Sequence, residues 1–331
     1  MSIGFAVLGD GAWGTAIALL LAQDPNHDVR LWSARQENAR ILKERRENFR
    51  LLPGVPIPPS VKLTGDIGEA VADTDLWIVA VPTVYLRETL TRIQPDLPAD
   101  RPVLSLTKGV EMETFLRPTE IVRQIFGNRS TAVLSGPSHA EEVSRGLPAS
   151  LVVASDEPAL ARRIQEWFST DRFRVYTSSD VTGVELGGAL KNIIGIASGI
   201  SDGLGLGDNA KSALMIRGIV EIARFGVALG AERTTFYGLA GLGDLITTCV
   251  SRHGRNRHVG ERLARGERLP DILASMRMVA EGIYTTRSVY ERGSQLRIEM
   301  PITTEVFQVL YAGKDARAAV NDLMTREPKS E

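Results

Sequence analysis

Three glycines near the start of the chain have the spacing of a phosphate-binding turn. The segment Gly9-Asp10-Gly11-Ala12-Trp13-Gly14 follows the apolar run Ile3–Leu8 and precedes a helical pattern that begins at Thr15. In such a turn the first glycine permits the bend, the second lets backbone approach a pyrophosphate, and the third lets the helix pack on the strand. The N–H groups at the helix start attract the anion. An ordinary glycine-rich loop is the alternative, but the flanking strand and helix favour a dinucleotide site formed by Gly9, Gly11, Ala12, Trp13 and Gly14.

The end of the second apolar run bears on which dinucleotide is bound. Enzymes restricted to NAD usually carry Asp or Glu about 20 residues past the glycines, where the acid holds the ribose hydroxyls. The segment Leu31-Trp32-Ser33-Ala34-Arg35 contains no acid and ends in an arginine. It predicts NADP or NAD as cofactor, with NADP moderately preferred and Arg35 beside its 2′-phosphate. Alternatively, Arg35 only begins a solvated basic helix.

A lysine in the second half of the chain is flanked by glycines on one face of a predicted helix, Val181–Ser201. That face carries Gly188, Lys191, Asn192, Gly195 and Gly199. Each glycine costs a helix about 1 kcal/mol relative to alanine, so something is expected to approach the backbone closely. If Gly188 and Gly195 clear space around Lys191, a desolvated lysine there could act as an acid or base. The alternative is a surface lysine with glycines that accommodate a neighbouring helix.

Two later segments suit an anionic ligand. Gly241-Leu242-Gly243-Asp244 places a carboxylate on a tight turn, and Arg252-His253-Gly254-Arg255-Asn256-Arg257 concentrates arginines that can bind phosphate through forked donors. A solvated loop is the alternative for the arginine run. The loop before the predicted helix Ala210–Leu229 offers Asp208 or Asn209 as its N-cap. The histidines show no metal-ligand spacing, so no metal site is expected.

The pattern of apolar runs predicts the elements that position these residues. In the first half, short buried strands alternate with helical segments, which indicates a parallel sheet covered on both faces. The predicted strands are Ile3–Leu8, Val29–Trp32, Leu76–Val81, Val103–Thr107, Thr131–Leu134 and Ser150–Ala154. After about residue 180 the segments are helical. We therefore expect an α/β Rossmann-like dinucleotide-binding domain over residues 1–180 and an all-α domain, which binds substrate, over residues 181–331.

Composition narrows the classes of function. The 331 residues carry 39 Lys and Arg against 40 Asp and Glu, a formal charge of −1, which argues against binding nucleic acid through a general positive field. The single cysteine, Cys249, excludes an intramolecular disulfide and fits a reducing cytoplasm. Neither a secretory signal nor a membrane-spanning segment is expected. A cytoplasmic enzyme is predicted, and an apolar helical domain is compatible with a homodimer.

The motifs, taken in order along the chain, resemble one family. They are Gly9–Ala16, Ser105–Gly109, Ser135–Glu142, Lys191-Asn192, Gly203–Lys211, Gly241–Asp244, Arg255–Arg257 and Glu281-Gly282. This set is similar to that of the bacterial-type NAD(P)-dependent sn-glycerol-3-phosphate dehydrogenases. The resemblance implies the reversible reduction of dihydroxyacetone phosphate, a small phosphorylated substrate, to sn-glycerol 3-phosphate, which supplies phospholipid synthesis.

The resemblance also implies residue roles. Lys191 would be the general acid and base at the reacting oxygen, and Lys108 would contact that oxygen and the nicotinamide. The substrate-binding set would be Lys108, Gly136, Ser138, Lys191, Asp244, Gly254, Arg255 and Asn256. Further cofactor contacts would come from Lys108, Ala140, Arg255, Val279 and Glu281. One position departs from the family, because Gly254 stands where serine is common; only a backbone N–H could bind phosphate there.

Two other functions are compatible with parts of the pattern. A related dehydrogenase of the β-hydroxyacid or 6-phosphogluconate type also pairs a Rossmann domain with a helical one and uses a helix lysine followed by asparagine. The segments Gly136-Pro137-Ser138 and Gly241–Asp244 argue against it. A non-catalytic dinucleotide sensor would bind the cofactor without turnover.

Overall fold

The computed structural model describes residues 2–97, 101–276, 278–328 and 330. These residues form two compact units. Those within Met1–Lys108 and Leu116–Glu185 make up one, which we call the sheet unit. Those within Gly109–Phe115 and Leu186–Glu331 make up the other, the helical unit.

The sheet unit is built on one eight-stranded sheet with strand order β3-β2-β1-β4-β5-β6-β7-β8. The strands are β1 (Ile3–Leu8), β2 (His27–Trp32), β3 (Val61–Thr64), β4 (Leu76–Val79), β5 (Val103–Ser105), β6 (Thr131–Ser135), β7 (Ala149–Ala154) and β8 (Phe173–Ser178). All neighbouring strands run parallel except β6 and β7. The first six strands follow the order of a doubly wound dinucleotide-binding sheet. The predicted Rossmann-like, mostly parallel sheet is confirmed.

Helices cover both faces of this sheet. They are α1 (Ala12–Leu21), α2 (Gln36–Arg45), α3 (Ile67–Val71), α4 (Thr83–Ile93), α5 (Pro118–Phe126), α6 (Ala140–Val143) and α7 (Pro158–Phe168). Along β1, Phe5 and Val7 belong to one apolar cluster, whereas Ala6 and Leu8 belong to another. Successive side chains of a strand point to opposite faces, so a strand with a core on each side is apolar throughout.

The helical unit contains eight helices among the residues described. They are α8 (Val181–Gly203, in this unit from Leu186), α9 (Gly207–Ala228), α10 (Asp244–Val250), α11 (Arg255–Ala264), α12 (Leu269–Ser275), α13 (Glu281–Gln295), α14 (Pro301–Tyr311) and α15 (Ala316–Met324). Its core gathers Leu190 and Ile193 of α8 with Phe225 of α9 and Ile302 of α14. The predicted all-α second half is confirmed. In the described part of the chain, no helix has the length and apolar character needed to cross a membrane.

Two details differ from the sequence-based expectations. Strands β3 and β8 were not predicted, because both lie at sheet edges, and in β8 the exposed Arg174 and Tyr176 break up the apolar run. The N-cap expectation for α9 is wrong: the helix begins at Gly207, after Leu206, and neither Asp208 nor Asn209 caps it. Gly207 has φ +83°, a conformation that favours glycine, so the backbone turn sets this helix start.

Candidate functional site

The glycine turn after β1 has the geometry that its sequence predicts. Gly9 has φ +126°, and a Cβ there would lie 2.7 Å from the Ala80 carbonyl oxygen. A Cβ on Gly14 would lie 2.1 Å from the Gly9 oxygen, so this glycine lets α1 pack against the turn. Apart from Gly11 itself and its two neighbours in the chain, no described residue has an atom within 4 Å of where a Cβ on Gly11 would stand. The fold itself therefore requires glycine at positions 9 and 14, whereas position 11 leaves room for a ligand.

The start of α1 fits an anionic dinucleotide. Gly11 is its N-cap, without a side-chain cap and without an acid in the first turn, so N–H groups there remain available to an anion. Ala12 and Trp13 pack against a buried apolar cluster that contains Ala140 of α6. The indole Nε1 of Trp13 is buried and has no hydrogen-bond partner in the part of the chain described. The structure thus brings Ala12, Trp13 and Ala140 together beside the turn.

A polar corner joins this turn to the end of β2. Ser33 Oγ donates to Asp10 Oδ2 at 2.8 Å, and Asn48 Nδ2 donates to the Asp10 carbonyl at 2.8 Å and to Thr15 Oγ1 at 2.9 Å. Burial raises the pKa of the Asp10 carboxyl, and the hydrogen bond from Ser33 opposes that rise. Arg35 is exposed at the N-cap of α2. Asp10 was not among the predicted site residues, although it occupies the variable position between the first two glycines.

Lys108 lies in the loop after β5 and reaches the loop after β6. Its Nζ donates to the Gly136 carbonyl at 2.9 Å and to Ser138 Oγ at 3.0 Å. Gly136 has φ +140°, and a Cβ there would lie 3.0 Å from Leu151 Cα. Because β5 and β6 are parallel neighbours, their carboxyl ends meet at one edge of the sheet. That edge brings Lys108, Gly136 and Ser138 together.

Lys191 is buried in the helical unit and forms an ion pair. Its Nζ contacts Asp244 Oδ1, and the two residues are 7% and 1% exposed. Asp244 follows a π-helical turn, Leu239–Gly243, in which the Gly243 N–H donates to the Gly238 carbonyl at 3.1 Å. A π-helical turn is rare and often marks a functional site. The burial excludes the alternative of a surface lysine.

A chain of amide contacts connects the neighbour of Lys191 to two further predicted residues. Asn256 Nδ2 donates to Asn192 Oδ1 at 2.9 Å, and the Gly282 N–H donates to Asn256 Oδ1 at 3.0 Å. Gly282 directly follows Glu281, at the start of α13. These bonds fix Asn256 between α8 and α13 with both ends of its amide engaged.

Arg255 occupies the first position of α11 and is exposed. Its Nη1 donates to the Val279 carbonyl at 2.8 Å, so two residues expected at the cofactor are in contact. Arg257, by contrast, forms ion pairs with Asp202 and Glu261. The first turn of α11 contains no acid, and Gly254 caps it without a side chain. The two arginines therefore differ, because Arg257 is ion-paired with carboxylates of the protein whereas Arg255 is exposed and donates to a backbone carbonyl.

Gly195 and Gly199 of α8 serve helix packing, which corrects the expectation that Gly195 clears space around Lys191. A Cβ on Gly195 would lie 2.8 Å from Thr248 Cγ2 and 3.3 Å from Asn256 Cβ. A Cβ on Gly199 would lie 1.9 Å from the Arg257 carbonyl oxygen. Conversely, a Cβ on Gly260 of α11 would lie 2.0 Å from the Ile196 oxygen of α8. Neighbouring helices, and not a ligand, make these close approaches.

Two further glycines of the predicted segments make close contacts with neighbouring backbone. A Cβ on Gly241 would lie 2.1 Å from the Phe236 oxygen, so glycine at this position lets the π-helical turn pack against the segment that precedes it. The Gly254 N–H donates to the Ser251 carbonyl at 3.2 Å, and the binding of phosphate by this N–H stays a prediction. Cys249 is buried, and burial raises the pKa of its thiol to about 12. Among the residues described, no group of His, Cys, Asp and Glu could hold a metal ion.

Two family models match the chain. A model for the N-terminus of NAD-dependent glycerol-3-phosphate dehydrogenase matches residues 4–161, and a model for its C-terminus matches residues 180–321. Together they cover the glycine turn, both lysines and the arginine run.

Full-length relatives agree with the models. A protein named glycerol-3-phosphate dehydrogenase [NAD(P)+] from Geobacillus thermodenitrificans is 49% identical over 328 residues, 98% of this chain and 95% of the relative. One of the same name from Chlorobium phaeobacteroides is 47% identical over 328 residues, 98% of both chains. A crystal structure of glycerol-3-phosphate dehydrogenase from Coxiella burnetii is 37% identical, covers 98% of this chain and 99% of its own, and has a TM-score of 0.94. The resemblance stated from the motifs is confirmed.

Proposed function

Since the chain belongs to the NAD-dependent glycerol-3-phosphate dehydrogenase family and is an NAD(P)-dependent oxidoreductase of that activity, we propose that Lys191 is its general acid and base. The buried ion pair with Asp244 carries this assignment. Reduction of dihydroxyacetone phosphate needs a proton at the carbonyl oxygen, and an ammonium group can donate it. In the reverse direction the neutral amine of Lys191 accepts the proton of the hydroxyl group.

Asp244 positions this proton donor. Its carboxylate binds Nζ of Lys191 in a site that excludes most water, where an ion pair is stronger than at the surface. Negative charge grows on the carbonyl oxygen during reduction, and a cation already oriented by the protein stabilises that charge without reorganisation. Asp244 is thus assigned to positioning as well as to the substrate-binding set.

Lys108 is assigned to the substrate and the nicotinamide. Its hydrogen bonds to Gly136 and Ser138 hold Nζ in place at the carboxyl edge of the sheet, where doubly wound folds bind their ligands. Gly136 and Ser138 join it in the substrate-binding set. Its positive charge would add to the stabilisation of the developing oxyanion.

The phosphate of the substrate is assigned to Arg255 and Asn256 at the start of α11. Arginine offers a forked set of donors, and the uncapped helix start adds N–H groups. The hydrogen bonds that fix the Asn256 amide to Asn192 and Gly282 orient this first turn. Gly254, whose N–H donates to Ser251, would contribute space and no hydroxyl group.

The dinucleotide, when bound, supplies the hydride that adds to the carbonyl carbon. The turn residues Gly9, Gly11, Ala12, Trp13 and Gly14 would hold its pyrophosphate, with Ala140, Val279 and Glu281 as further contacts. We propose a moderate preference for NADP, supported by Arg35 at the N-cap of α2 and by the absence of an acid in the segment Leu31–Arg35.

Three further assignments concern the biological role, the location and the assembly of the protein. A role in supplying phospholipid synthesis is consistent with the family. A cytoplasmic location is supported by the single cysteine, which is free and buried. A homodimer is supported by large apolar side chains that the helical unit exposes, among them Ile216, Ile246 and Val250. Light scattering after size-exclusion chromatography measures the molar mass that decides this.

Oxidation of NADPH or NADH by the purified protein, followed by absorbance after addition of dihydroxyacetone phosphate, tests the activity. Turnover that depends on this substrate is expected, and glyceraldehyde 3-phosphate, an isomer with an aldehyde in place of the ketone, serves as the matched control. No turnover with either nucleotide would contradict the proposal and favour a dinucleotide sensor. Reduction of NADP+ or NAD+ by β-hydroxyacids or 6-phosphogluconate, with no turnover of dihydroxyacetone phosphate, would favour the related dehydrogenases, which the full-length relatives do not support.

A further inference from the structure

The corner where β1 and β2 end carries an acid that the β2 segment itself lacks. Leu8 and Trp32 are paired at the carboxyl ends of these parallel strands. Asp10 follows Leu8 by two residues, and Ser33 follows Trp32. The 2.8 Å bond from Ser33 Oγ to Asp10 Oδ2 shows that the Asp10 carboxylate reaches the end of β2.

The end of β2 is where a dinucleotide-binding fold recognises the adenosine ribose. In NAD-specific sites an acid at this position accepts hydrogen bonds from the ribose hydroxyls, and its charge opposes a 2′-phosphate. Here the acid comes from the glycine turn and Arg35 comes from the segment after β2. The corner therefore contains one group that favours the hydroxyl and one that favours the phosphate.

We infer that Asp10 is a specificity-determining residue that limits the preference of this chain for NADPH over NADH. The inference rests on the proposed use of a dinucleotide at the glycine turn. A carboxylate has about four acceptor positions, so Asp10 can bind Ser33 and still accept a ribose hydroxyl. Its negative charge opposes the attraction of Arg35 for a 2′-phosphate.

The surroundings of Asp10 make its charge effective. The side chain is partly buried, so solvent screens its field less than it would at an exposed site. The same burial raises the pKa of the carboxyl, and Ser33, Asn38 and Arg35 oppose that rise. Asn48 holds the Asp10 carbonyl and Thr15, which keeps the turn in place when the side chain changes.

A purely structural role for Asp10, in which it only supports the turn, predicts a different outcome. If the carboxylate only held the turn through Ser33, replacing it would weaken all dinucleotides equally. Asp10→Asn separates the two roles because the amide oxygen can still accept the Ser33 hydrogen bond while the charge is lost. Asp28, near the start of β2 and about 17 Å from Ser33 at about 3.3 Å per residue, offers a matched control. Asp28→Asn makes the same change of charge beyond the screening length of about 8 Å.

Calorimetric titration with ADP-ribose and with 2′-phospho-ADP-ribose tests the inference without turnover. In Asp10→Asn we expect the affinity ratio of the phosphorylated to the unphosphorylated ligand to rise about tenfold. It should stay unchanged in Asp28→Asn, and fall about tenfold in Arg35→Ala. If Asp10→Asn does not fold, Asp10→Ala removes the same charge and should raise the ratio similarly. A folded Asp10 variant with the wild-type ratio, or with both ligands weakened equally, would overturn the inference.

The same titration separates this inference from the proposed function. A wild-type chain that binds both ligands but does not reduce dihydroxyacetone phosphate contradicts the proposed activity and leaves the role of Asp10 intact. Normal turnover combined with an unchanged affinity ratio in the Asp10 variants contradicts the role of Asp10 alone. A wild-type chain that binds neither ligand contradicts both.

Discussion

The two lysines assigned to chemistry are held in opposite ways. Lys191 lies within a long helix, is buried, and contacts the carboxylate of Asp244. Lys108 lies in a loop at a strand end, is partly buried, and donates to the Gly136 carbonyl and the Ser138 hydroxyl. One cation is positioned by an opposite charge from another helix, and the other by neutral oxygens from a neighbouring loop.

The two lysines should therefore respond differently to the loss of a partner. Removing one partner of a buried ion pair leaves an unpaired charge in a poorly solvated place, which is costly. Removing one neutral acceptor of Lys108 leaves a partly exposed ammonium that water can still solvate. Loss of a partner of Lys191 should therefore cause a large loss of stability and activity. Loss of a partner of Lys108 should cause a smaller one.

The largest effect is expected for Lys191→Ala. Loss of the general acid should lower kcat about 100-fold or more, with a smaller change in KM. Steady-state kinetics in both directions measure this. Lys314→Ala is the matched control, because Lys314 is also ion-paired within the helical unit, to Glu305 and Asp322, and has no assigned role. A kcat near the wild-type value in Lys191→Ala would break the assignment.

Asp244→Asn should affect stability and catalysis together. The buried ammonium of Lys191 loses its charged partner, so the free energy of unfolding should fall by about 3 kcal/mol. Misplacement of Nζ should lower kcat about 10-fold or more. Urea denaturation and kinetics measure the two effects. Asp202→Asn, in a more exposed ion pair, should cost no more than about 1 kcal/mol. Equal losses of unfolding free energy in the two variants would contradict the expectation that the buried ion pair matters more than the exposed one.

Lys108→Ala should lower kcat/KM by about 10- to 100-fold, the scale of a hydrogen bond to a charged group. Ser138→Ala removes only one neutral acceptor and should cost about 2- to 10-fold. Kinetics with dihydroxyacetone phosphate varied at saturating cofactor compare the two variants. If Ser138→Ala were as damaging as Lys108→Ala, the stepwise weakening expected of this site would be wrong.

The smallest effect on the folded protein concerns Cys249, which packs in the helical unit. Burial raises the pKa of its thiol to about 12 from an ordinary value of 9.0. Because the folded state disfavours the thiolate, this contribution to stability is complete below pH 9 and is lost as pH rises toward 12. At pH 8 a thiol with a pKa of about 12 is about 1000-fold less ionised than one with a pKa of 9.0, so alkylation should be at least about 100-fold slower in the native protein than in urea. Equal rates would show that water reaches this core.

The local parts of the fold were predictable from the sequence. The unit from β1 through α1 to β2 could be predicted because apolar runs, glycine spacing and helix period all lie within about 30 residues. Strands β3 and β8 were not predicted because edge strands are short or alternate between apolar and polar residues. They therefore lack the continuous apolar run that marks a buried strand. The start of α9 was predicted wrongly because the positive φ of Gly207, and not a polar N-cap, sets it.

The site was predictable only in part, for the same physical reason. The glycines spaced along α8 predicted that something approaches the backbone of this helix closely. The sequence did not show that α10 and α11 are the elements that do so. Lys191 and Asp244 are 53 residues apart, and no local pattern states that they meet. Asp10 lay inside a recognised motif, but its contact with Ser33 depends on the pairing of β1 with β2.

Gly199 of α8 and Gly260 of α11 lie where these two helices touch, and this contact limits how the protein can be redesigned. At Gly199 and Gly260 the two main chains are in direct contact, so no side-chain rotamer there can absorb a change in helix separation. The spacing between Asn192 and Asn256 is therefore set by backbone peptide groups, which are the same in every sequence. A designer can vary the surrounding apolar side chains widely while this spacing persists, provided that the two glycines are kept.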